Sequence, residues 1–279
     1  LVDNPPIYLH LPTDVPPLVR ERIGQRVKVL PPPPTAWVEN PRTRILMPVV
    51  LDGETRCVVD LVGGRTSMSD LEDAQRRRLQ QADILLQANG VATSHARLVA
   101  DMASALQSDG FAVVRDVFNE QQLAAVKDYI RRLIAGGYLN CKDLQVPGRE
   151  SRPNEALMQV LHEQLARLVS AATQESLKPS FTLLLHYKEG SVLNRHIDRE
   201  QCRWNISFAL DYGPDADADI WPICVDIHGV AHEVRLRAGD LLLYRGTDTP
   251  HWRDRLADGR SATVAVFHFV SSSFDGSLD

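Results

Sequence analysis

Asn194-Arg195-His196-Ile197-Asp198-Arg199, answered further along by Thr249-Pro250-His251-Trp252-Arg253, decides how this chain reads. On an extended strand, positions i and i+2 point to the same side, so the His196 imidazole and the Asp198 carboxylate are expected to share one ion. His251 follows His196 by 55 residues and must reach that ion from another strand. Two histidines and one carboxylate on one face of a metal leave three coordination positions open, which is the ligand count of a reactive centre and not of a structural one.

Nine residues after His251 comes Arg260, at the head of Ser261-Ala262-Thr263-Val264-Ala265-Val266-Phe267-His268-Phe269, a β-branched and aromatic run that reads as a strand. An arginine there is expected to face the metal's side of the sheet, where its planar fork suits a carboxylate held bidentately. The expected partner is an organic acid. Upstream, Phe181-Thr-Leu-Leu-Leu-His-Tyr187 alternates as a strand and leads through Lys188-Glu189-Gly190 toward the metal pair, so the Tyr187 phenol is a second candidate donor to the same acid.

With these segments stand Gly110-Phe-Ala-Val-Val-Arg-Asp-Val-Phe118, Gly239-Asp-Leu-Leu-Leu-Tyr244 and Gly259-Arg260. A single His-x-Asp arises by chance, but the ordered set, spanning roughly residues 105 to 270, resembles the iron(II)- and 2-oxoglutarate-dependent dioxygenases, specifically the prolyl-4-hydroxylase-like group. The resemblance implies that His196, Asp198 and His251 hold Fe(II), that Arg260 binds the distal carboxylate of the co-substrate 2-oxoglutarate, and that Tyr187 assists. The family usually carries Ser or Thr two residues after the arginine, whereas position 262 is Ala here, between Ser261 and Thr263. It also implies O2 as oxidant, release of succinate and CO2, and hydroxylation of an unactivated C–H bond. Related halogenases replace the carboxylate by a small residue, so Asp198 disfavours halogenation.

Asn205, within Arg203-Trp-Asn-Ile-Ser-Phe208, either faces the barrel and hydrogen-bonds the co-substrate or is a polar residue at a strand edge. Arg203 or Ser207 would share its face by two-residue parity. Trp252 and Arg253 flank the ligand His251 and are substrate-contact candidates, Trp252 having packing beneath the metal loop as its alternative. Trp221 and Tyr244 read as core or rim aromatics. His186, His228, His232 and His268 lack a matched carboxylate and read as structural or exposed, with a place behind the metal ligands as the alternative for His268, which shares strand parity with Arg260.

The net charge of −5, from 31 basic and 36 acidic residues, argues against nucleic acid as partner, which disfavours the base-demethylating branch of the superfamily. Arg76-Arg77-Arg78 reads as a solvated helix face. The acidic series Asp211, Asp215, Asp217 and Asp219 either solvates a loop or selects a cationic group. Cys57, Cys141, Cys202 and Cys224 show neither metal-ribbon nor disulfide spacing. With no apolar run of about 18 residues or more, and no leader pattern in Leu1-Val-Asp-Asn-Pro-Pro, the expectation is a soluble, cytoplasmic protein that does not engage a membrane. The first residue is not Met, so the chain reads as trimmed.

Along the chain, residues 1–93 are expected to form a proline-rich segment and a small N-terminal module. Pro31-Pro32-Pro33-Pro34 imposes a polyproline II spacer, with a recruitment ligand as the alternative. Between Ile45 and Val91 the pattern predicts a hydrophobic strand or helix, a turn at Gly63-Gly64, and a helix capped near Ser67 with Asp70 in a capping-box position, closed by Asn89-Gly90. This unit faintly resembles winged-helix modules that bind leader peptides, and is expected to be either a structural appendage or a peptide-recognition module.

Residues 94–279 are expected to form the catalytic domain. Helices are predicted from Ser94 to Asp109, from Asn119 to Gly136-Gly137, and from about Asn154 to Ala172, with the strand Phe111–Val114 between the first two. Short strands then begin near Ser180, Arg203, Ile220, Val230, Asp240 and Ser261, punctuated by Gly, Pro and Asp turns. The predicted fold class is α+β, a double-stranded β-helix or jelly roll buttressed by helices, with the small α/β appendage. Loops 140–152 and 213–220 are the expected lid and rim, and the expected substrate is a peptide, a protein side chain or an amino acid. The competing readings are a non-catalytic jelly-roll carboxylate sensor and a nucleic-acid oxidative demethylase. Oligomeric state is not legible from the sequence.

Overall fold

The computed structural model describes residues 2–3, 7–10, 35–86, 91–139, 141–142, 145–214 and 220–278. The proline run Pro31–Pro34, the Asn89-Gly90 stop, Asp215, Asp217 and Asp219, and part of loop 140–152 lie outside the described residues. The chain divides into two compact units, Leu1–Leu98 with Phe118–Ala124, and Val99–Val117 with Ala125–Asp279.

In the first unit, β1 (Val2–Asp3), β2 (Ile7–His10), β3 (Thr35–Glu39) and β4 (Leu46–Val50) precede helices α1 (Val58–Val62) and α2 (Asp73–Gln81), and β5 (Leu85–Leu86) follows. Strands β2, β3 and β4 form an antiparallel sheet in that order, and β1 pairs with β5. Ala36, Val38, Val49, Leu79 and Ile84 share one buried cluster. The Ser67–Asp70 box is present, but it caps a single 3₁₀ turn (Met68–Asp70), because Leu71 then goes extended. A second box, Glu72 with Gln75, opens α2. This helix stops at Gln81, well before Asn89, where Asp83 adopts a positive φ of 58° and turns the chain into β5.

The chain continues through α3 (Val91–Ser108), β6 (Phe111–Val114), α4 (Glu120–Ala135), β7 (Cys141–Lys142), β8 (Glu150–Pro153), α5 (Ala156–Thr173), β9 (Leu177–Tyr187), β10 (Leu193–His196), β11 (Trp204–Gly213), β12 (Ile223–Ile227), β13 (Val230–Val234), β14 (Leu241–Tyr244), β15 (His251–Arg253) and β16 (Ser261–Ser271). Asn119 caps α4 as its sequence demands: its side chain accepts from the Gln122 N–H at 2.8 Å, and Gln122 answers by accepting from the Asn119 N–H at 3.1 Å.

The strands of the second unit form a seven-stranded sheet, β6-β14-β11-β16-β9-β8-β7, and a four-stranded sheet, β10-β15-β12-β13, antiparallel throughout. Side chains from both meet in one core, Leu185, Leu242 and Val264 from the larger and Ile223 and Val225 from the smaller. Each such residue contributes roughly 1.5–3 kcal/mol by leaving water. This is a double-stranded β-helix. Strand parity then divides the larger sheet. On β16, Val264, Val266 and His268 face the space between the sheets, while Phe267 and Phe269 face α5, where the His162 ring lies 5.5 and 4.8 Å from them. His162 Nε2–H donates to the His268 carbonyl at 2.8 Å, tying the helix to the strand.

No helix among the described residues is long and apolar enough to cross a membrane. Cys57, Cys202 and Cys224 are free thiols.

Candidate metal centre and cavity

Antiparallel pairing of β10 with β15 sets His196 directly opposite His251 and brings their ring centroids to 4.2 Å. The expected strand parity of His196 and Asp198 is not how the carboxylate arrives. β10 ends at His196, and Asp198 sits in the following loop, where its N–H donates to the Gly246 carbonyl at 2.9 Å. Asp198 Oδ1 lies 3.5 Å from His196 Nε2 and 3.7 Å from His251 Nε2. One ligand atom from each of the three residues falls within 4.8 Å of the others.

Tautomers make this cluster a donor set. His196 Nδ1 lies 2.8 Å from the Asn194 carbonyl and His251 Nδ1 lies 3.0 Å from the Thr249 carbonyl. A carbonyl only accepts, so both Nδ1 atoms carry the proton and both Nε2 lone pairs are left to the carboxylate's side. Orienting a ligand imidazole through its second nitrogen is how metal sites are usually prepared. Two neutral imidazoles and a carboxylate on one face suit an octahedral divalent ion of the Fe(II) type. Burial pushes the Asp198 carboxyl up, but the His196 hydrogen bond and the charges of His251 and His268 outweigh it and hold it below the usual carboxylate range. Hydrogen bonding to Asp198 lifts the His196 imidazole, whereas burial holds that of His251 below its ordinary value.

Behind the carboxylate stands Asn205, whose Nδ2 donates to Asp198 Oδ2 at 2.9 Å and to the Tyr244 hydroxyl at 2.7 Å. Asn205 therefore lines the cavity while one of its donors orients Asp198 and the other holds Tyr244. Gly246 is equally specific. A Cβ there would stand 2.6 Å from Asp198 Oδ2 and 2.5 Å from the Cys202 carbonyl, closer than side-chain atoms pack. Gly246→Ala is expected to weaken divalent-metal affinity by about 10- to 100-fold, the range seen when ligand-orienting groups are lost. It should also lower stability by about 1–3 kcal/mol from overpacking. A metal titration paired with thermal melts checks both effects, and unchanged metal affinity would show that Asp198 needs no such backing.

The ligands open onto a cavity of about 480 Å³ between the sheets. Three of the predicted contacts lie elsewhere. Arg260 precedes β16 in a half-exposed turn and is not among the residues lining the cavity. Arg203 is in helical conformation at the end of a 3₁₀ turn, so the β11 parity that carries Asn205 and Ser207 inward stops short of it. Its guanidinium pairs with Glu175 at 2.9 Å. Trp252 points opposite to His251 on β15 and lies under Arg195, 5.7 Å from the guanidinium carbon. Arg253 and Tyr187 do line the cavity.

Arg253 is 2% exposed and its donors meet only neutral acceptors, the Trp221 carbonyl at 2.8 Å and Ser207 Oγ at 3.3 Å. No carboxylate partners it among the described residues. Tyr187 is buried, and its hydroxyl accepts from Arg149 Nη1 at 2.7 Å, leaving its own proton for another acceptor. Sequence reasoning did not single out Arg149 or Gly246, and it placed Tyr244 and His268 outside the site. Arg149 lies just before β8, far from any motif, and Gly246 is one glycine of 16, so the only legible signal was the strand parity of His268.

By sequence the chain matches no protein-family model and no curated protein. In structure it is similar to a prolyl-4-hydroxylase from Pseudomonas putida at 20% identity, with 63% of this chain and 100% of that one covered and a TM-score of 0.52. It is also similar to a Trichoplax adhaerens prolyl hydroxylase in complex with a hypoxia inducible factor peptide fragment, at 15% identity over 62% of this chain and 89% of that one, TM-score 0.52. HygX from Streptomyces hygroscopicus, with nickel and 2-oxoglutarate bound, is similar at 14% identity over 62% of this chain and 87% of that one, TM-score 0.50. The likeness establishes a shared fold, the double-stranded β-helix of prolyl hydroxylases and other 2-oxoglutarate oxygenases.

Proposed function

We propose that the protein is an Fe(II)/2-oxoglutarate-dependent oxygenase that hydroxylates an unactivated C–H bond. The single observation that carries this reading is the convergence, in one cavity, of two imidazole lone pairs and a carboxylate with a buried guanidinium that has no carboxylate partner among the described residues. His196, Asp198 and His251 would hold the metal, which when bound supplies the one-electron and dioxygen chemistry that side chains lack. The overall balance is 2-oxoglutarate, O2 and R–H giving succinate, CO2 and R–OH.

The chain's own residues account for the rest. Arg253, two residues beyond His251 and on the same side of β15, takes the distal carboxylate of 2-oxoglutarate, the role the resemblance assigned to Arg260. Its donors are already aimed by Trp221 and Ser207. Tyr187, held by Arg149, donates its remaining proton to the same acid. Leu185, Leu193 and Val264 line the cavity and keep water from the co-substrate's methylenes. Asn205 and Gly246 hold Asp198 in place.

The test is to supply the full chain with Fe(II), ascorbate, O2 and 2-oxoglutarate and to quantify succinate, then to add candidate peptides and amino acids and watch by mass spectrometry for a gain of one oxygen. Succinate above the metal-free background is expected even without substrate. Binding of 2-oxoglutarate with no succinate would instead mark a carboxylate sensor.

A further inference from the structure

The mouth of the same cavity carries a second cationic feature that the co-substrate does not use. Arg199, the residue after the Asp198 ligand, lines the cavity and is exposed, and its guanidinium carbon lies 5.4 Å from the centre of the Phe181 ring. Phe181 rests in turn on the His268 ring, with centroids 4.4 Å apart. His268 is 5% exposed, and its Nδ1 has no hydrogen-bond partner. Burial pushes its pKa down to about 4, so it adds no charge at neutral pH. Among the described residues, no carboxylate pairs with Arg199. Ile197, 56% exposed, lines the cavity close by and gives the mouth an apolar wall.

Charge counting turns this into a substrate class. Besides histidines, the charged residues lining the cavity among those described are Arg149, Arg199, Arg253 and Asp198. A divalent ion and the 2-oxoglutarate dianion cancel. Asp198 offsets one guanidinium, and even with Arg149 set aside, held as it is by the neutral Tyr187 and Gln145, at least one of Arg199 and Arg253 stays uncompensated by a cavity carboxylate among the described residues. Arg253 lies at the buried end with the co-substrate. Arg199 is the exposed guanidinium at the open end, where its charge favours an anion over a neutral or cationic molecule.

We propose that Arg199, stacked on Phe181, is the subsite for a carboxylate on the substrate, so that the molecule oxidised is an acid on an aliphatic stem, its carbon chain lying along Ile197. The carboxylate comes from one of two sources, the α-carboxylate of an amino acid or the side chain of an acidic residue in a peptide. This subsite rests on the oxygenase reading above, and it stands against the alternative in which the acidic series Asp211 to Asp219 selects a cationic group.

Calorimetric titration of the full chain, saturated with nickel and 2-oxoglutarate so that nothing turns over, tests it with two matched pairs. N-acetyl-L-leucine against N-acetyl-L-leucinamide probes the α-carboxylate, and acetyl-Ala-Glu-Ala-amide against acetyl-Ala-Gln-Ala-amide probes the side chain. In at least one pair the acid is expected to bind about tenfold or more tighter than its amide, as a charge-assisted hydrogen bond would give. The preferred pair identifies the source. Arg199→Gln should abolish the preference and Arg199→Lys should retain part of it. Equal binding of acid and amide in both pairs, no binding by either acid at millimolar concentration, or a preference that survives Arg199→Gln overturns the proposal. Wild-type protein that neither binds 2-oxoglutarate nor forms succinate would remove the oxygenase reading itself. Protein that forms succinate but treats acid and amide alike would remove only the subsite.

Discussion

Asp198→Ala is expected to abolish succinate formation and to reduce divalent-metal affinity by about 100-fold or more, above the loss typical of groups that merely orient a ligand. Asp198 Oδ1 stands within 4 Å of both imidazole Nε2 atoms, so its loss leaves two neutral donors without the anion that would help them hold a dication. The effect on the metal-free fold should be small, because two costs oppose each other. Removing the carboxylate leaves one Asn205 Nδ2 proton without its acceptor, the other still going to Tyr244, a penalty of about 1–3 kcal/mol. It also spares the burial of a charge, which is unfavourable by a comparable amount or more. Cobalt(II) titration and thermal melts separate the two effects. Undiminished succinate from the variant would exclude Asp198 as a ligand.

Arg253→Met is expected to move stability and co-substrate binding in opposite directions. In the ligand-free protein this guanidinium is buried on β15 against a carbonyl, a hydroxyl and the face of Trp221, 4.9 Å from its carbon. The desolvation of a buried ion amounts to several kcal/mol, and neutral acceptors repay it only in part. An apolar side chain of similar length should leave the melting temperature unchanged or raise it. Affinity for 2-oxoglutarate should fall by roughly 30-fold to several-thousand-fold, since truncating one member of a buried charged pair costs about 2–5 kcal/mol. Arg253→Lys should fall between, keeping the charge and losing the fork. Arg260→Met is the control. A large loss of 2-oxoglutarate affinity there, with little at Arg253, would return the carboxylate to the turn before β16.

The two arginines differ in what the sequence offers for each. Arg260 was chosen because a resemblance aligned it with a family position, yet no local pattern says whether a residue at the mouth of a strand bends inward. Arg253 shares strand parity with His251, a relation visible in the sequence, but its burial depends on β12 and β15 being neighbours, which no short-range signal reveals. Arg203 failed for a similar reason. Parity holds only inside a strand, and a 3₁₀ turn ends just before Trp204.

Elements whose stability is local were read well. The Asn119 capping box, the leucine stripe of α5 and the β-branched run of β16 each follow from interactions within a few residues. The helix predicted to run to Asn89 stops at Gln81, because one positive φ at Asp83 outweighs the favourable residues that follow.

From its order of residues alone, the chain determined which atoms are able to bind a metal and that a β-rich core would have to carry them, because ligand chemistry and strand period are properties of single residues and their near neighbours. Only the tertiary structure decided that His196 stands opposite His251, that Asp198 reaches them from a loop backed by Gly246 and Asn205, and that the cavity's arginines are Arg149, Arg199 and Arg253. Each of those depends on the register between strands distant in sequence, which is set by how two sheets bury their shared core.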